Sequence, residues 1–358
     1  MPITPLYGHD SLRARLVSAH GRGALPPSLL LHGPRGVGKQ RLALWLGQML
    51  LCSADGDRPC GTCQHCRYAL DLAHPDIRWF FPRPRLVNPD PRTEEVLDDF
   101  VDAIGVRRKS HGLYTAPGGT EALYVATIRA ILQLASLTPA MGRRKIFVIG
   151  DAERMVAQEG ADQAANAFLK MLEEPQADTQ IILTSSEPGS LLPTIRSRAI
   201  AVRVQPLTES AARDFLRDPV VKTALDDQDV PPSLERRIEL MAGAPGTLVG
   251  SVDRAQASEV AREFLQAVSQ GRAEWSRAVA KMSVAKARGL FADVLDALTV
   301  QMHERLREAA GRSDARRAAA IAHVMEVIED AKLRVDGNVS PQLLGASIAR
   351  ELNKWSVL

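Results

Sequence analysis

Long apolar runs are missing from this chain: none approaches the roughly 20 residues that a helical membrane span requires. Missing too, over the first residues (MPITPLYGHD), is the pattern of a secretory signal, so the expected setting is the cytoplasm. Cysteine is scarce, at 4 residues. In a reducing compartment that argues against a disulfide framework and makes a metal the better reason for having them. Aromatic residues amount to only 4%, while alanine and arginine are abundant, a composition suited to long, surface-rich helices. Neither sign of charge dominates: 45 basic side chains face 42 acidic ones, for a net +3. So mild a balance permits nucleic-acid contact without requiring it, because an electrostatic footprint needs clustering.

What is present is length and pattern. The 358 residues suffice for two or three domains with buried cores. Up to about Gln205, short apolar runs alternate with helical stretches, the signature of a parallel sheet covered on both faces. Expected strands are Ser28–Leu31, Asp76–Phe80, Lys145–Ile149, Gln180–Thr184 and Ala199–Val204. Expected helices are Lys39–Leu51, Ile128–Thr138 and Asp162–Leu172, the last stopped by Pro175. The run from Phe81 to Thr120 breaks this rhythm, with prolines at its start and glycines at its end. Apart from Glu94–Ala103, which has the composition of a short acidic helix, it reads as an extended, partly mobile insertion. From Pro206 the pattern is all-helical. Thr208–Arg217 and Ser233–Met241 form a small unit ending at Gly243–Gly246. Further helices are expected over Ser258–Val268, Ala273–Met282, Ala285–Ala310, Asp314–Val335 and Pro341–Trp355.

Gly33–Gln40 reads GPRGVGKQ, the phosphate-loop pattern G-x-x-x-x-G-K-[ST] complete except at its last position. Pro26–Leu31 before it matches the buried strand that such a loop follows. The amides of a turn containing Gly33, Gly36 and Gly38 are expected to cradle phosphate, with Lys39 on the outer phosphates. The absent serine or threonine normally gives its hydroxyl to Mg²⁺, which demands short oxygen contacts in a near-octahedral array. The longer amide arm of Gln40 cannot copy that geometry. The expectation is a loop that keeps phosphate or nucleotide and has lost hydrolysis; a plain glycine turn joining strand to helix is the blander reading. After Lys145–Ile149, an ATPase of this kind places an Asp-Glu pair, one for metal and one for the attacking water. Here Gly150-Asp151 stands in that place with Glu153 beyond it, and Asp151 reads equally well as the N-cap of a following helix.

Cys52, Cys60, Cys63 and Cys66 use every cysteine of the chain in the spacing C-x₇-C-x₂-C-x₂-C. Tight C-x₂-C turns present thiolates tetrahedrally, so one structural Zn²⁺ held by four sulfurs is expected rather than a set of free reduced thiols. Four sulfurs leave no open position for water, which excludes a catalytic role. His65, lying between ligands, is surplus as a fifth donor and is expected to be exposed.

Together these residues resemble the bacterial clamp-loader subunits of the AAA+ class. The resemblance is carried by the cysteine module directly after the phosphate-loop helix and by His74-Pro75-Asp76 opening the next strand. To these add AANAFLKMLEEP at Ala164–Pro175, TSSEP at Thr184–Pro188, and Ser197-Arg198-Ala199 in place of the family's Ser-Arg-Cys. It covers Leu6 to Val204 apart from the insertion, and more weakly NVSPQLL at Asn338–Leu344. It implies a phosphate-loop AAA+ α/β domain with a parallel five-stranded sheet over residues 1–206, carrying a zinc module (52–66) and an insertion (81–120). It further implies a helical lid at 207–252 and an all-α collar at 253–358 that holds an oligomer together.

Within that family, Gln40, Gly150-Asp151 and Gly246 (standing where a motor subunit carries its lid arginine) remove the elements for metal, water and γ-phosphate. Arg198 is kept. Alone it reads as a solvated surface charge; by resemblance it is an arginine finger that completes a neighbour's site. The combination resembles the delta-prime branch rather than the hydrolysing gamma/tau branch. The implied partners are delta and gamma/tau subunits in a pentameric loader that opens the sliding clamp and places it on primed DNA. Tyr7-Gly8-His9 matches the family's stretch near the adenine pocket, and Thr184-Ser185 its nucleotide-sensing strand end, so ATP or ADP without hydrolysis is the implied cofactor beside Zn²⁺. Ala199 falls on a packing position. Arg107-Arg108-Lys109 of the insertion reads as a solvated basic loop, with contact to DNA or a partner protein left open.

Two other readings are distinguishable. An active motor with an unusually held metal would hydrolyse ATP as an isolated chain. A stand-alone zinc-dependent nucleic-acid protein needs basic and aromatic residues around the metal site, where only Arg58 and Arg67 flank it.

Overall fold

Runs such as Leu29–Leu31, Ile146–Ile149 and Ile181–Leu183 offer no polar face, so they fit only the middle of a sheet covered on both sides. A computed structural model of the chain places them there, each residue at most 2% exposed. The structure describes residues 2–88, 90–114, 121–155, 162–176, 178–226, 230, 233–249, 251–284, 288–312, 314–335 and 340–355. Five strands, β1 (Ser28–His32), β2 (Ile77–Phe80), β3 (Lys145–Ile149), β4 (Thr179–Ser185) and β5 (Ile200–Arg203), form one parallel sheet in the order β2-β3-β4-β1-β5. Register is set by pairs such as Leu30 with Leu183 and Phe147 with Ile181. β4 therefore separates the strand before the phosphate loop from the strand before Asp151. All three end on the same side of the sheet, where α/β folds gather their ligands. β5 is one of the two edge strands, and its residues are largely exposed.

The helices around this sheet are α1 (Asp10–Gly21), α2 (Lys39–Leu51), α3 (Gln64–Leu70), α4 (Thr93–Lys109), α5 (Val125–Ala135), α6 (Asp162–Glu173) and the short α7 (Pro193–Arg196). Leu42, Leu46 and Met49 of α2, Ile128 and Ile131 of α5, and Phe168 and Leu172 of α6 close the core over the strands. The expected elements recur with shifts of a few residues; α1 and α3 lay outside the sequence expectation.

The insertion departs from its sequence reading. It is built around α4, 17 residues long, rather than a short helix in an extended loop. Val96, Phe100, Ala103 and Arg107 recur at helical spacing and are all buried. Phe100 meets Phe80 and Phe81 edge-to-face with centroids 4.9 and 5.4 Å apart. Arg83 forks onto the two carboxylate oxygens of Asp99 at 2.7 Å each, and Glu95 accepts from the Arg92 amide at the helix start. The reading of residues 107–109 as a solvated basic loop fails at its first residue: Arg107 is 7% exposed, while Arg108 and Lys109 stay in solvent. Residues 115–120 lie outside the described residues.

After the sheet come α8 (Glu209–Arg217), α9 (Pro219–Asp226) and α10 (Leu234–Met241), with a small core of their own around Phe215, Leu216, Val221, Leu225 and Met241. Thr208 and Ser233 stand just outside α8 and α10, their hydroxyls accepting from Ala211 N and Arg236 N as N-caps. α9 was not anticipated.

The chain divides into two compact units, residues 1–117 with 121–250, and residues 251–358. The second consists of α11 (Ser251–Gln270), α12 (Arg272–Val284), α13 (Arg288–Gly311), α14 (Ala315–Val335) and α15 (Pro341–Lys354) around Phe264, Leu295, Leu298, Ile321, Val324, Ile328 and Ile348. Among the described residues, no helix is long and apolar enough to cross a membrane.

Candidate nucleotide site and metal centre

The loop Gly33–Gly38 leaves the end of β1 and leads directly into α2, whose first two residues are Lys39 and Gln40. Its glycines are sterically required. A Cβ at Gly33 would lie 2.2 Å from Val204 O, and Gly36 sits at φ +80° with the backbone of Gly246 and Thr247 against it. Gly246 N donates to Gly36 O at 2.8 Å, and a Cβ at Gly246 would fall 2.9 Å from Gly36 Cα. The turn after α10 therefore packs directly on the loop, at the position where a lid arginine was expected to be missing.

Lys39 is buried and curls over the loop. Its Nζ donates to Gly33 O (2.9 Å), Pro34 O (2.8 Å) and Ser186 Oγ (2.9 Å). Burial pulls its pKa down to about 8, against the opposing pull of Asp151 and Glu153. Ser185, the residue expected at the strand end, is fully buried and turns its Oγ to the amide of Glu187. The hydroxyl that meets Lys39 belongs to Ser186, which sequence spacing did not single out. Glu153 is drawn inward, its Oε1 accepting from Ser186 N at 2.9 Å. Burial, and then the charge of Asp151, raises its pKa.

Gln40 is the centre of the arrangement. It is 6% exposed, its Nε2 donates to Asp151 Oδ2 at 2.9 Å, and its Oε1 accepts from Trp79 Nε1 at 2.9 Å. A Cβ at Gly150 would come within 2.4 to 2.6 Å of three atoms of the Gln40 amide. The glutamine thus fills the space that any side chain at position 150 would need. Asp151 itself sits in the left-handed region at φ 47°, with its amide on Thr184 Oγ1. Asp151 does stand at the N-cap position of a short 3₁₀ turn, as the alternative reading had it, but its carboxylate makes no cap hydrogen bond and is engaged by Gln40 instead.

The remaining sequence candidates lie around the loop or away from it. His9 places Nε2 3.0 Å from Val37 O, and Tyr7 donates to Asp218 Oδ2 at 2.5 Å. Burial and then this bond raise the Tyr7 pKa. Arg198 is held elsewhere: Nη2 pairs with Glu173 Oε1 at 2.5 Å and Nη1 donates to Thr194 O at 2.9 Å. Its guanidinium touches no residue of the loop. Ala199 is buried.

The four cysteine sulfurs lie within 4.8 Å of one another, and none of them is in a disulfide. Cys60 and Cys66 are 3.9 Å apart and Cys63 and Cys52 4.0 Å. The edge of a tetrahedron around Zn²⁺ with 2.3 Å bonds is about 3.8 Å. The backbone amides of Cys60, Cys63 and Cys66 donate to Cys52, Cys60 and Cys63 sulfurs at 3.3 to 3.4 Å, which favours thiolates. Such donors, led by the Cys63 amide, bring Cys60 down to about 5. Donor set, spacing and amide support all fit a metal ion. His65 is not exposed as expected but half-buried, with Nδ1 2.9 Å from His74 Nε2 and the rings stacked. His74 in turn accepts from the Asp76 amide. The Asp76 carboxylate takes the amides of Ala140, Met141 and Gly142, which outweigh its burial and hold its pKa low. His74-Pro75-Asp76 thus ties the cysteine module to the start of β3.

A phosphate loop between β1 and α2, with β4 inserted between the loop strand and the acid-bearing strand, defines a phosphate-loop α/β domain. Residues 8–208 match the sequence profile of the family "DNA polymerase III, delta subunit", and the chain belongs to that family. Among curated relatives, the DNA polymerase III subunit delta' of Bacillus subtilis (strain 168) is 28% identical over 66% of this chain and 56% of its own length. That of Pseudomonas aeruginosa PAO1 is 31% identical over 63% and 56%. The DNA polymerase III subunit gamma/tau of Mycobacterium bovis is 28% identical over 54% of this chain and 27% of its own length. The chain thus spans about half the length of the delta' relatives it matches.

Proposed function

We propose that this chain is a delta-prime-type subunit of a bacterial DNA polymerase III clamp loader, a largely structural component without ATPase activity of its own. The observation that carries the reading is the interlock of Gln40 and Gly150. An amide stands where a metal-binding hydroxyl belongs, and it fills the space of the missing acidic side chain beside it. Lys39 and the glycine turn remain, so the loop keeps the groups for phosphate or nucleotide while lacking those for hydrolysis. The delta' relatives match over a larger share of both chains than the gamma/tau relative does, which favours the non-motor branch.

On this reading Arg198 serves a neighbouring subunit's nucleotide, released from Glu173 when the subunits meet. Residues 207–252 act as lid and residues 253–358 as the oligomerising collar. Cys52, Cys60, Cys63 and Cys66 hold one structural Zn²⁺. The partners are delta and gamma/tau subunits and, through the complex, the sliding clamp and primed DNA, in the cytoplasm. The purified chain is expected to show no ATP turnover above background, and to enter a stable complex when mixed with delta and gamma/tau subunits. Turnover that Lys39→Ala abolishes, or failure to join the complex, refutes the proposal.

A further inference from the structure

In a working loop of this class a divalent metal sits between the hydroxyl after the lysine and the acid after the β3 strand. The residues of this chain do not fit one. Gln40 holds no anionic or hydroxyl oxygen. Its carbonyl oxygen is committed to Trp79, and its amide nitrogen, a donor that repels a cation, is turned to Asp151. The filling continues outward. The Trp79 ring is covered by the Arg107 guanidinium at 4.3 Å, which also lies 3.7 Å from the Tyr114 ring centroid and 3.2 Å from that of Phe81. Trp79 also packs edge-to-face on Phe81 and Tyr114. Arg107 comes from the buried face of α4, so the insertion supplies the outer end of a continuous chain Asp151–Gln40–Trp79–Arg107. Its Nη1 is buried and has no hydrogen-bond partner among the described residues. Among the described residues the guanidinium is therefore held by ring faces rather than by a paired acid. Burial pulls its pKa down to about 10, against the opposing pull of Tyr114 and Asp151.

We propose that the metal position of this loop is permanently built over by Gln40, with Trp79 and the inserted helix as its brace. Any nucleoside polyphosphate taken by Gly33–Lys39 therefore binds free of divalent metal. Arg107 acts here as a positioning residue: it touches Trp79, not ligand. The inference deepens the reading of the loop as a retained phosphate site and rests on it for the ligand class, but the exclusion of metal rests on packing alone. It also gives the insertion a role, as the wedge that keeps the tryptophan against the glutamine.

The test is a titration of the full chain with a fluorescent ATP analogue in EDTA and in excess Mg²⁺, for the wild type and for Gln40→Thr/Gly150→Asp. The wild type is expected to bind equally within about twofold in both. The double variant is expected to bind at least about tenfold more tightly with Mg²⁺, as the rebuilt oxygen pair acquires a metal. A wild-type affinity that Mg²⁺ strengthens tenfold overturns the inference. If the wild type binds no analogue in either condition, the retained-phosphate reading fails by itself. Exclusion of metal then stands on the double variant, gained Mg²⁺-dependent binding supporting it and no gain overturning it. Should the double variant not fold, the fluorescence of wild-type Trp79 in a chain whose other three tryptophans are replaced by Phe decides. Mg²⁺ with the analogue must leave it unchanged, and a shift that requires Mg²⁺ overturns the inference.

Discussion

The interlock between Gln40 and Gly150 is measurable without any ligand. Gly150→Ala puts a methyl within 2.4 to 2.6 Å of the Gln40 amide, so the glutamine must be driven off both of its hydrogen bonds or the strand must shift. Overpacking of this kind costs about 1–3 kcal/mol. Gln40→Ala alone removes partners from buried Trp79 Nε1 and from Asp151, at about 1–3 kcal/mol for the unsatisfied groups. In the double variant the methyl enters space that the glutamine has vacated, so the collision term vanishes and the two losses do not add. The expected coupling is about 1–2 kcal/mol, well above the ~0.5 kcal/mol scatter of independent sites. Because the chain divides into two compact units, the assay is native-state hydrogen exchange of β1 and β3 amides in the full chain, which reads the sheet directly. Additivity within about 0.5 kcal/mol refutes the interlock, and with it the account of why position 150 is a glycine.

Other perturbations have equally definite outcomes. Elemental analysis is expected to find one zinc per chain, and Cys63→Ser or chelation to abolish it and to lower the melting temperature of the first unit; a zinc-free chain of unchanged stability refutes the metal centre. Arg198→Ala is expected to leave assembly with partner subunits intact while lowering ATP hydrolysis at the neighbouring site by about 10³, measured by phosphate release. Unchanged hydrolysis removes the finger assignment. Lys39 loses its proton as pH rises through about 8, so retained nucleotide affinity is expected to fall between pH 7 and pH 9, and to be lost at every pH in Lys39→Met. Affinity that is flat across that range indicates that the backbone amides alone hold the phosphate.

Much of the site was legible because short motifs carry their own geometry. GPRGVGKQ names its strand, its turn and its helix. The C-x₂-C spacings bring sulfurs together whatever surrounds them, and the four here do converge. The LEEP stretch announced a helix end, and Glu173 within it turned out to hold Arg198. Residues whose roles depend on the neighbour they meet were not legible. Ser185 and Ser186 are adjacent and chemically identical; only the local turn aims the second at Lys39. His65 looked exposed because its partner His74 is brought to it only by α3, a helix that sequence did not announce. The insertion looked extended because prolines open it and glycines close it, yet its apolar residues recur at helical spacing and Phe100 finds a slot beside Phe80 and Phe81.

By itself the sequence determined the local devices: the class of sheet, the helical second half, the loop with its lost hydroxyl, and the cysteine cluster. Each rests on periodicity or on spacing along a few residues, which short-range sterics and ligand chemistry convert directly into structure. Only the tertiary structure decided what replaces the lost chemistry. Gln40, Trp79, Arg107 and Gly150 are up to 110 positions apart in sequence. They become one object because α4 packs on β2, and β2 lies beside β3. A missing hydroxyl can be read from a motif; the side chain that grows into the space beside it is chosen by long-range packing, which no local pattern encodes.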